Sequence, residues 1–132
     1  MRLILTALIF LAGLLDLFMA GSFLFDPATI GLTLGVKPDG VSGLSTMRAD
    51  FTAFFLVAAF CMMWGAWRRN GDLLLVPAAL FGIALTGRAI NLAIHGAYPG
   101  FALPMAVEAF HVALLIAAWR MLPHHKIEEI AG

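Results

Sequence analysis

Cysteine and charge are both scarce in this sequence. The single cysteine, Cys61, excludes an internal disulfide and any zinc site built from several cysteines. Charged residues make up 12% of the 132 residues, about half the share found in soluble domains, so the chain has little surface suited to water. Lysine plus arginine and aspartate plus glutamate number 8 each, and this balance gives no indication of a nucleic-acid partner.

Long apolar stretches make up most of the chain instead. Hydrophobic residues account for 62% of it, which is typical of an integral membrane protein that contacts the lipid bilayer. A helix of about 20 apolar residues crosses a hydrocarbon core of roughly 30 Å. We predict a single all-α membrane domain over residues 1–132, an antiparallel four-helix bundle with spans at about 3–25, 44–67, 73–95 and 101–122 and an interfacial segment at 27–36.

The first apolar stretch begins like a signal peptide, because Arg2 precedes it. It continues as far as Phe25, however, which is too long for the apolar core of a signal peptide and indicates a transmembrane helix. Asp26 and Pro27 follow with the residue types of an N-cap and a first helical position. We therefore expect a short interfacial helix or loop to start there.

Basic residues in the connections predict the orientation of the bundle. With four spans, all basic residues outside the apolar stretches except Lys37 fall at the end that carries both termini. They are Arg2, Arg68, Arg69, Arg120 and Lys126. Since positively charged connections stay on the cytoplasmic side, we predict that both termini are cytoplasmic.

Every span carries charge, and the main charges lie at similar depth. Asp16, Asp50, Arg88 and Glu108 are each six to nine residues from the end of their span that lies opposite the termini, or roughly 9–14 Å of helix rise. Arg48 is shallower, where its long side chain can extend to the interface. A charge inside a membrane costs at least a few kcal/mol and therefore faces protein or a polar cavity. These residues are predicted to form one buried polar layer in the outer half of the bundle.

Further polar residues follow the helical spacing of this layer. Arg88, Asn91 and His95 lie at i, i+3 and i+7 on one face of the third span, and Glu108 and His111 lie at i and i+3 on the fourth. The candidate ligand-binding residues are Asp16, Arg48, Asp50, Arg88, Asn91, Glu108 and His111.

Two interpretations of the polar layer are open. A buried ion pair between Arg88 and either Glu108 or Asp50 can simply fix the register of a small bundle. The alternative is a site for a ligand, a proton or a substrate, and the number of polar groups favours it, because one ion pair is enough to fix a register. If the site is catalytic, Asp50 and Glu108 are the candidates for a proton transfer such as an isomerisation.

Metal and cofactor sites have little support. Glu108 and His111 have the E-x-x-H spacing of di-iron bundles, but those bundles need a second such motif and two more glutamates. A bis-histidine haem would use His95 and His111, which differ in depth by about a helical turn or more. We expect neither a metal nor a cofactor.

Several short segments are similar to one family. The runs GSFLFDP at 21–27 and MRADF at 47–51, the GR at 87–88 and the mid-span Glu108 resemble a bacterial family of unknown function, made of small four-helix inner-membrane proteins loosely similar to the DoxX-like proteins. The R-A-D/E-F element is the most specific part. The resemblance implies four spans and a location in the bacterial inner membrane, and it marks Arg48, Asp50, Arg88 and Glu108 as characteristic polar positions. It implies no activity.

Three functions are compatible with this pattern. The first is binding of a small amphipathic or lipid-like ligand at the polar layer, with Arg88 and Arg48 holding an anionic or carbonyl oxygen. The second is a non-catalytic accessory subunit within a larger membrane complex, which the abundant glycine, alanine and methionine would suit equally well. The third is a transporter, which at this size requires a homo-oligomer.

Overall fold

The computed structural model describes residues 2–124, which fold as helices joined by short connections without any strand. The helices are α1 Arg2–Phe25, α2 Pro27–Thr33, α3 Gly40–Arg68, α4 Leu75–His95 and α5 Ala102–Met121, with a short 3₁₀ turn at Asp72–Leu74 before α4. All except α2 and the 3₁₀ turn are long and apolar enough to cross a membrane. These helices confirm the predicted all-α bundle. Lys126, one of the basic residues used to predict its orientation, lies outside the described residues.

Helices α1 and α3 form one antiparallel pair. The Nε–H of Arg48, in the first third of α3, donates to the carbonyl oxygen of Leu24 at the end of α1, at 2.9 Å. Gly13, near the middle of α1, lies against Met63 in the last third of α3. Small residues make this close approach possible, because a Cβ on Gly13 would lie 2.7 Å from Met63 Cγ and 3.3 Å from the Ala59 carbonyl oxygen.

Helices α4 and α5 form the second antiparallel pair. Arg88 in α4 pairs with Glu108 in α5, and Phe81, two turns earlier in α4, lies against His111, further along α5. The two pairs pack less extensively against each other, through α3 with α4 and α1 with α5. The bundle is therefore a ring of two tight hairpin-like pairs.

The two ends of the bundle differ in charge and in cover. Arg2, Arg68, Arg69 and Arg120 lie at one end, here called the basic end, and α2 covers the opposite end, here called the α2 end. The core at the basic end is apolar and fully buried, with Ile9, Met62, Leu74 and Leu115 each 0% exposed. Polar side chains within the bundle belong to the half toward the α2 end.

The connection at the α2 end begins with the predicted cap at Asp26 and Pro27, but it ends earlier than predicted. The Asp26 side chain caps α2 by accepting a hydrogen bond from the Thr29 N–H at 3.3 Å, with Pro27 at the first helical position. Helix α3 then begins at Gly40, four residues before the predicted span. The first residues of the helix, 40–42, are exposed, and α-helical hydrogen bonds satisfy their backbone as well as water does.

Replacing Gly31 by alanine is expected to loosen α2. A Cβ at this position would lie 2.8 Å from the Val36 carbonyl oxygen and would also contact the Met47 methyl group. The methionine tip can move, but the carbonyl is fixed by the turn in which the Val36 N–H donates to the Gly31 carbonyl oxygen at 2.9 Å. We expect destabilisation by about 1–3 kcal/mol and faster amide hydrogen exchange across residues 34–36.

The matched control is Gly21→Ala, because no atom of residues 2–124 lies within 4 Å of a Cβ built on Gly21. In the Gly21→Ala variant, amide hydrogen exchange at residues 34–36 is expected to equal that of the wild type. If Gly31→Ala and Gly21→Ala exchanged equally at these amides, close packing at Gly31 would not hold α2 in place.

Candidate ligand-binding cavity

A cavity of about 430 Å³ lies among the helices toward the α2 end. This volume is in the range of roughly 300–1,000 Å³ that is usual for small-molecule sites. All five helices contribute to its wall. The lining residues are Leu15, Asp16, Met19, Thr33, Leu34, Asp50, Phe51, Phe54, Phe55, Phe81, Ala84, Arg88, Leu103, Pro104, Val107 and Glu108.

Charged side chains from all four long helices meet at this cavity. Asp16 of α1, Asp50 of α3, Arg88 of α4 and Glu108 of α5 all line it. A charge placed at random on an apolar helix would face lipid as often as protein, at a cost of several kcal/mol. The cavity is therefore the place where the charges of the predicted polar layer come together.

Phenylalanines form much of the remaining wall, and sequence reasoning missed them. Phe51, Phe54 and Phe55 lie on one face of α3, and Phe81 lies on α4. Phe54 and Phe81 are in edge-to-face contact, with ring centroids 5.4 Å apart. The sequence did contain a pattern that indicates this wall. Phe51, Phe54 and Phe55 have the i, i+3, i+4 spacing of one helix face, and Phe81 is two turns before Arg88.

The ion pair between Arg88 and Glu108 closes one side of the cavity. Arg88 Nε donates to Glu108 Oε1 at 2.8 Å, so the pair forms with Glu108 rather than Asp50, through one hydrogen bond. The Glu108 side chain is 10% exposed and that of Arg88 is 27% exposed. Glu108 Oε2 is buried without a hydrogen-bond partner among the described residues. The carboxylate therefore retains a free acceptor beside the cavity.

Asp16 and His111 form a second buried pair, which links α1 to α5. His111 is 1% exposed and Asp16 is 2% exposed. The ring Nδ1 of His111 lies 2.9 Å from the Val107 carbonyl oxygen, and a carbonyl only accepts, so Nδ1 carries the proton. Nε2 then faces Asp16 Oδ2 at 3.5 Å. Neither atom has a hydrogen bond among the described residues at this distance. Because two facing acceptors in a buried place are stabilised by a proton on one of them, we infer that the pair holds one proton and has no net charge.

Asp50 differs from the other acids at the cavity because it is exposed. It has no ion-pair or hydrogen-bond partner from its side chain within residues 2–124. Its neighbour Arg48, two residues earlier, points elsewhere and donates to the Leu24 carbonyl oxygen. Asp50 is therefore the unmatched charge at this site.

The remaining candidates lie outside the cavity. Arg48 is held at the carboxyl end of α1, as its predicted shallow position suggested, and does not line the cavity. Asn91 and His95 are exposed, because the last turns of α4 are largely uncovered. His111 reaches the cavity only through Asp16.

The E-x-x-H pair does not act as a unit in this arrangement. Glu108 bonds to Arg88, whereas His111 faces Asp16, so their side chains have different partners. Within the described part of the chain, no group of three or more histidine, cysteine, aspartate or glutamate residues is placed to hold a metal ion. The chemistry that the site offers is hydrogen bonding, charge pairing and proton transfer.

Similarity to known proteins adds nothing to this geometry. Comparisons with protein-family models, with curated proteins and with solved structures find no match.

Proposed function

We propose that this membrane protein binds a small amphipathic or lipid-like molecule in the cavity at the α2 end. The observation that supports this proposal is the joint occurrence of charged groups from four helices and a phenylalanine wall around one volume of about 430 Å³. Ligand sites commonly combine a mostly apolar lining with a few polar groups that orient the ligand. A molecule with an apolar body and one polar head matches both parts of this lining.

Unpaired acceptors distinguish this cavity from a purely structural ion-pair cluster. In a cluster that only fixes register, buried polar atoms have partners, because an unsatisfied one costs about 1–3 kcal/mol. Here Glu108 Oε2 is buried without a hydrogen-bond partner among residues 2–124, and the exposed Asp50 at the same cavity has no side-chain partner among those residues either. Both residues line the cavity, so a bound molecule would satisfy them.

Proton-transfer chemistry is a possible extension of binding. Asp16 and His111 share one proton, and Asp16 lines the cavity. Asp50 and Glu108 remain the candidates for accepting a proton from a bound substrate, as in an isomerisation. A reaction requires that these acids differ in protonation state during the cycle.

Charge and aromatic residues support a location in the bacterial inner membrane with both termini in the cytoplasm. The basic end carries the arginines of the connections, as expected of the cytoplasmic side. Trp64 and Trp67 are exposed near the same end, and the Arg68 guanidinium lies 5.3 Å from the Trp64 ring centroid. We also propose membership of the bacterial family of small four-helix inner-membrane proteins that is loosely similar to the DoxX-like proteins, on the basis of residues 21–27, 47–51 and 87–88 with Glu108.

Filling the cavity with Ala84→Trp is expected to expel the bound molecule. Ala84 lines the cavity, and an indole there would occupy much of its volume. Native mass spectrometry of the full chain, released from lipid nanodiscs, should show a retained small-molecule mass for the wild type and its loss in the variant. Asp50→Asn combined with Glu108→Gln should weaken retention without filling the cavity.

Ala89→Trp is the matched control, because Ala89 is exposed on the same helix and does not line the cavity. It should retain the bound mass. Equal retention by the wild type and both tryptophan variants would refute binding in this cavity. Stoichiometric copurification with a larger membrane protein, with no bound small molecule, would instead favour the accessory-subunit function.

A further inference from the structure

The charge at the cavity can be counted, because two of its acids already have a compensating partner. Glu108 is matched by Arg88 through the hydrogen bond of 2.8 Å. The charge of Arg88 is therefore balanced by a carboxylate before any ligand arrives, through a bond that uses only the Nε–H of the guanidinium. The pair as a whole gives the cavity no net charge and no preference for an anionic ligand.

The second acid, Asp16, is matched by His111. The single proton of this pair resides either on His111 Nε2 or on Asp16 Oδ2. The first placement gives an imidazolium beside a carboxylate, and the second gives two neutral groups. In both cases the pair contributes no net charge to the cavity.

Asp50 is then the remaining charge among the described lining residues. Its carboxylate has no cation beside it, since Arg48 is directed to the Leu24 carbonyl oxygen at the carboxyl end of α1. A cation at the carboxyl end of a helix is stabilised there by the helix dipole. The cavity as a whole therefore carries one unit of negative charge.

The apolar wall of the cavity also favours a cation over an anion. Aromatic ring faces attract cations, and Phe51 immediately follows Asp50 in α3, with Phe54 and Phe55 one turn further along and all three lining the cavity. The unpaired Glu108 Oε2, on a residue that is only 8% exposed, adds an acceptor for an N–H donor. An anion would meet acceptors and ring faces without a free cation among the described lining residues.

We propose that the molecule bound in this cavity is a lipophilic amine or quaternary ammonium compound whose cationic head pairs with Asp50. This inference rests on the proposed binding function and specifies its ligand class. The apolar body lies against the phenylalanines, and the head neutralises the one unmatched charge. The structure thereby favours cations over anionic or neutral amphiphiles of the same shape.

Three probes with one alkyl chain and different heads test the charge of the ligand. Decyltrimethylammonium, decanol and decyl sulfate are titrated by calorimetry into the full chain in a neutral maltoside detergent, with empty micelles as the blank. The cation is expected to bind at least roughly ten-fold more tightly than decanol, as a charge-assisted contact contributes, and decyl sulfate more weakly than decanol. Asp50→Asn should abolish the preference for the cation, and Ala84→Trp should abolish binding of all three probes.

Asp39→Asn is the matched control, because Asp39 is an exposed acid before α3 that does not line the cavity; it should keep the cation preference. Decanol or decyl sulfate binding as tightly as the cation, in a manner that Ala84→Trp abolishes, would overturn the cationic ligand and leave the binding function intact. If no probe bound in an Ala84-dependent manner and no bound mass were found, both proposals would fail. The three-probe comparison on the wild type decides the charge class even where Asp50→Asn does not fold.

Discussion

Replacing Arg88 by methionine is expected to destabilise the bundle by about 3–5 kcal/mol, the usual cost of removing one partner of a buried ion pair. The Glu108 side chain is 10% exposed, and its Oε1 would lose the only hydrogen bond that the described structure gives this carboxylate. Both carboxylate oxygens would then lack a hydrogen bond from residues 2–124, and the buried negative charge would lose its compensating cation. The measurement is the free energy of unfolding of the full chain in mixed micelles.

A double-mutant cycle separates the ion pair from the packing of the arginine side chain. Combining Arg88→Met with Glu108→Met removes both charges, and such apolar replacements are often neutral or stabilising. The double variant should therefore recover most of the stability that Arg88→Met loses. Arg120→Met serves as the control at an exposed arginine of the basic end, with an expected change within about 0.5 kcal/mol. Equal stability of Arg88→Met and Arg120→Met would contradict the importance of the pair.

Gly13→Leu is expected to force α1 away from α3. A Cβ at Gly13 would lie 2.7 Å from Met63 Cγ and 3.3 Å from both the Ala59 carbonyl oxygen and Met62 Cβ. The Met63 side chain can shift, but the Ala59 carbonyl oxygen belongs to the backbone of α3 and moves only with that helix. The larger side chain is therefore expected to separate the helix axes. Overpacking of this kind costs about 1–3 kcal/mol and sometimes more. The variant should unfold at lower denaturant in the same micelle assay.

Gly21→Leu, in the same helix, distinguishes close packing from a general effect of leucine. A Cβ at Gly21 has no atom within 4 Å, and leucine has the better helix propensity by up to about 1 kcal/mol. This control should be as stable as the wild type or slightly more stable. If both glycine variants lost the same stability, the tight contact between α1 and α3 would not be the cause.

The number and extent of the spans were predictable because the membrane imposes them. An apolar run must be about 20 residues long to cross the hydrocarbon. Helix α1 lies within one residue of its predicted bounds and α5 does so at each end, whereas α3 begins four residues before its predicted start and α4 begins two residues after it. The cap at Asp26 and Pro27 was predictable for a local reason, since those residue types satisfy the first turn of α2. Convergence of the charged residues followed from the cost of exposing them to lipid.

Contacts that depend on helix rotation were not predictable in the same way. The Asp16–His111 pair requires α1 and α5 to be neighbours with a specific rotation about each axis, which no local pattern specifies. Asn91 shares a face with Arg88 by spacing, yet it is exposed because the α2 end of α4 is largely uncovered. The phenylalanine wall had a visible periodicity, but aromatic residues on an apolar helix are equally typical of lipid-facing surface.

The division of the bundle into two tight pairs gives the cavity a mechanical role. Toward the α2 end, the pairs meet through the Phe54–Phe81 and Asp16–His111 contacts, and all of these residues except His111 also border the cavity. A molecule bound in the cavity would therefore contact both helix pairs at once. Its binding free energy would add to the stability of the contact between the two pairs. The protein with its ligand bound should therefore resist detergents that separate the helix pairs of the empty protein.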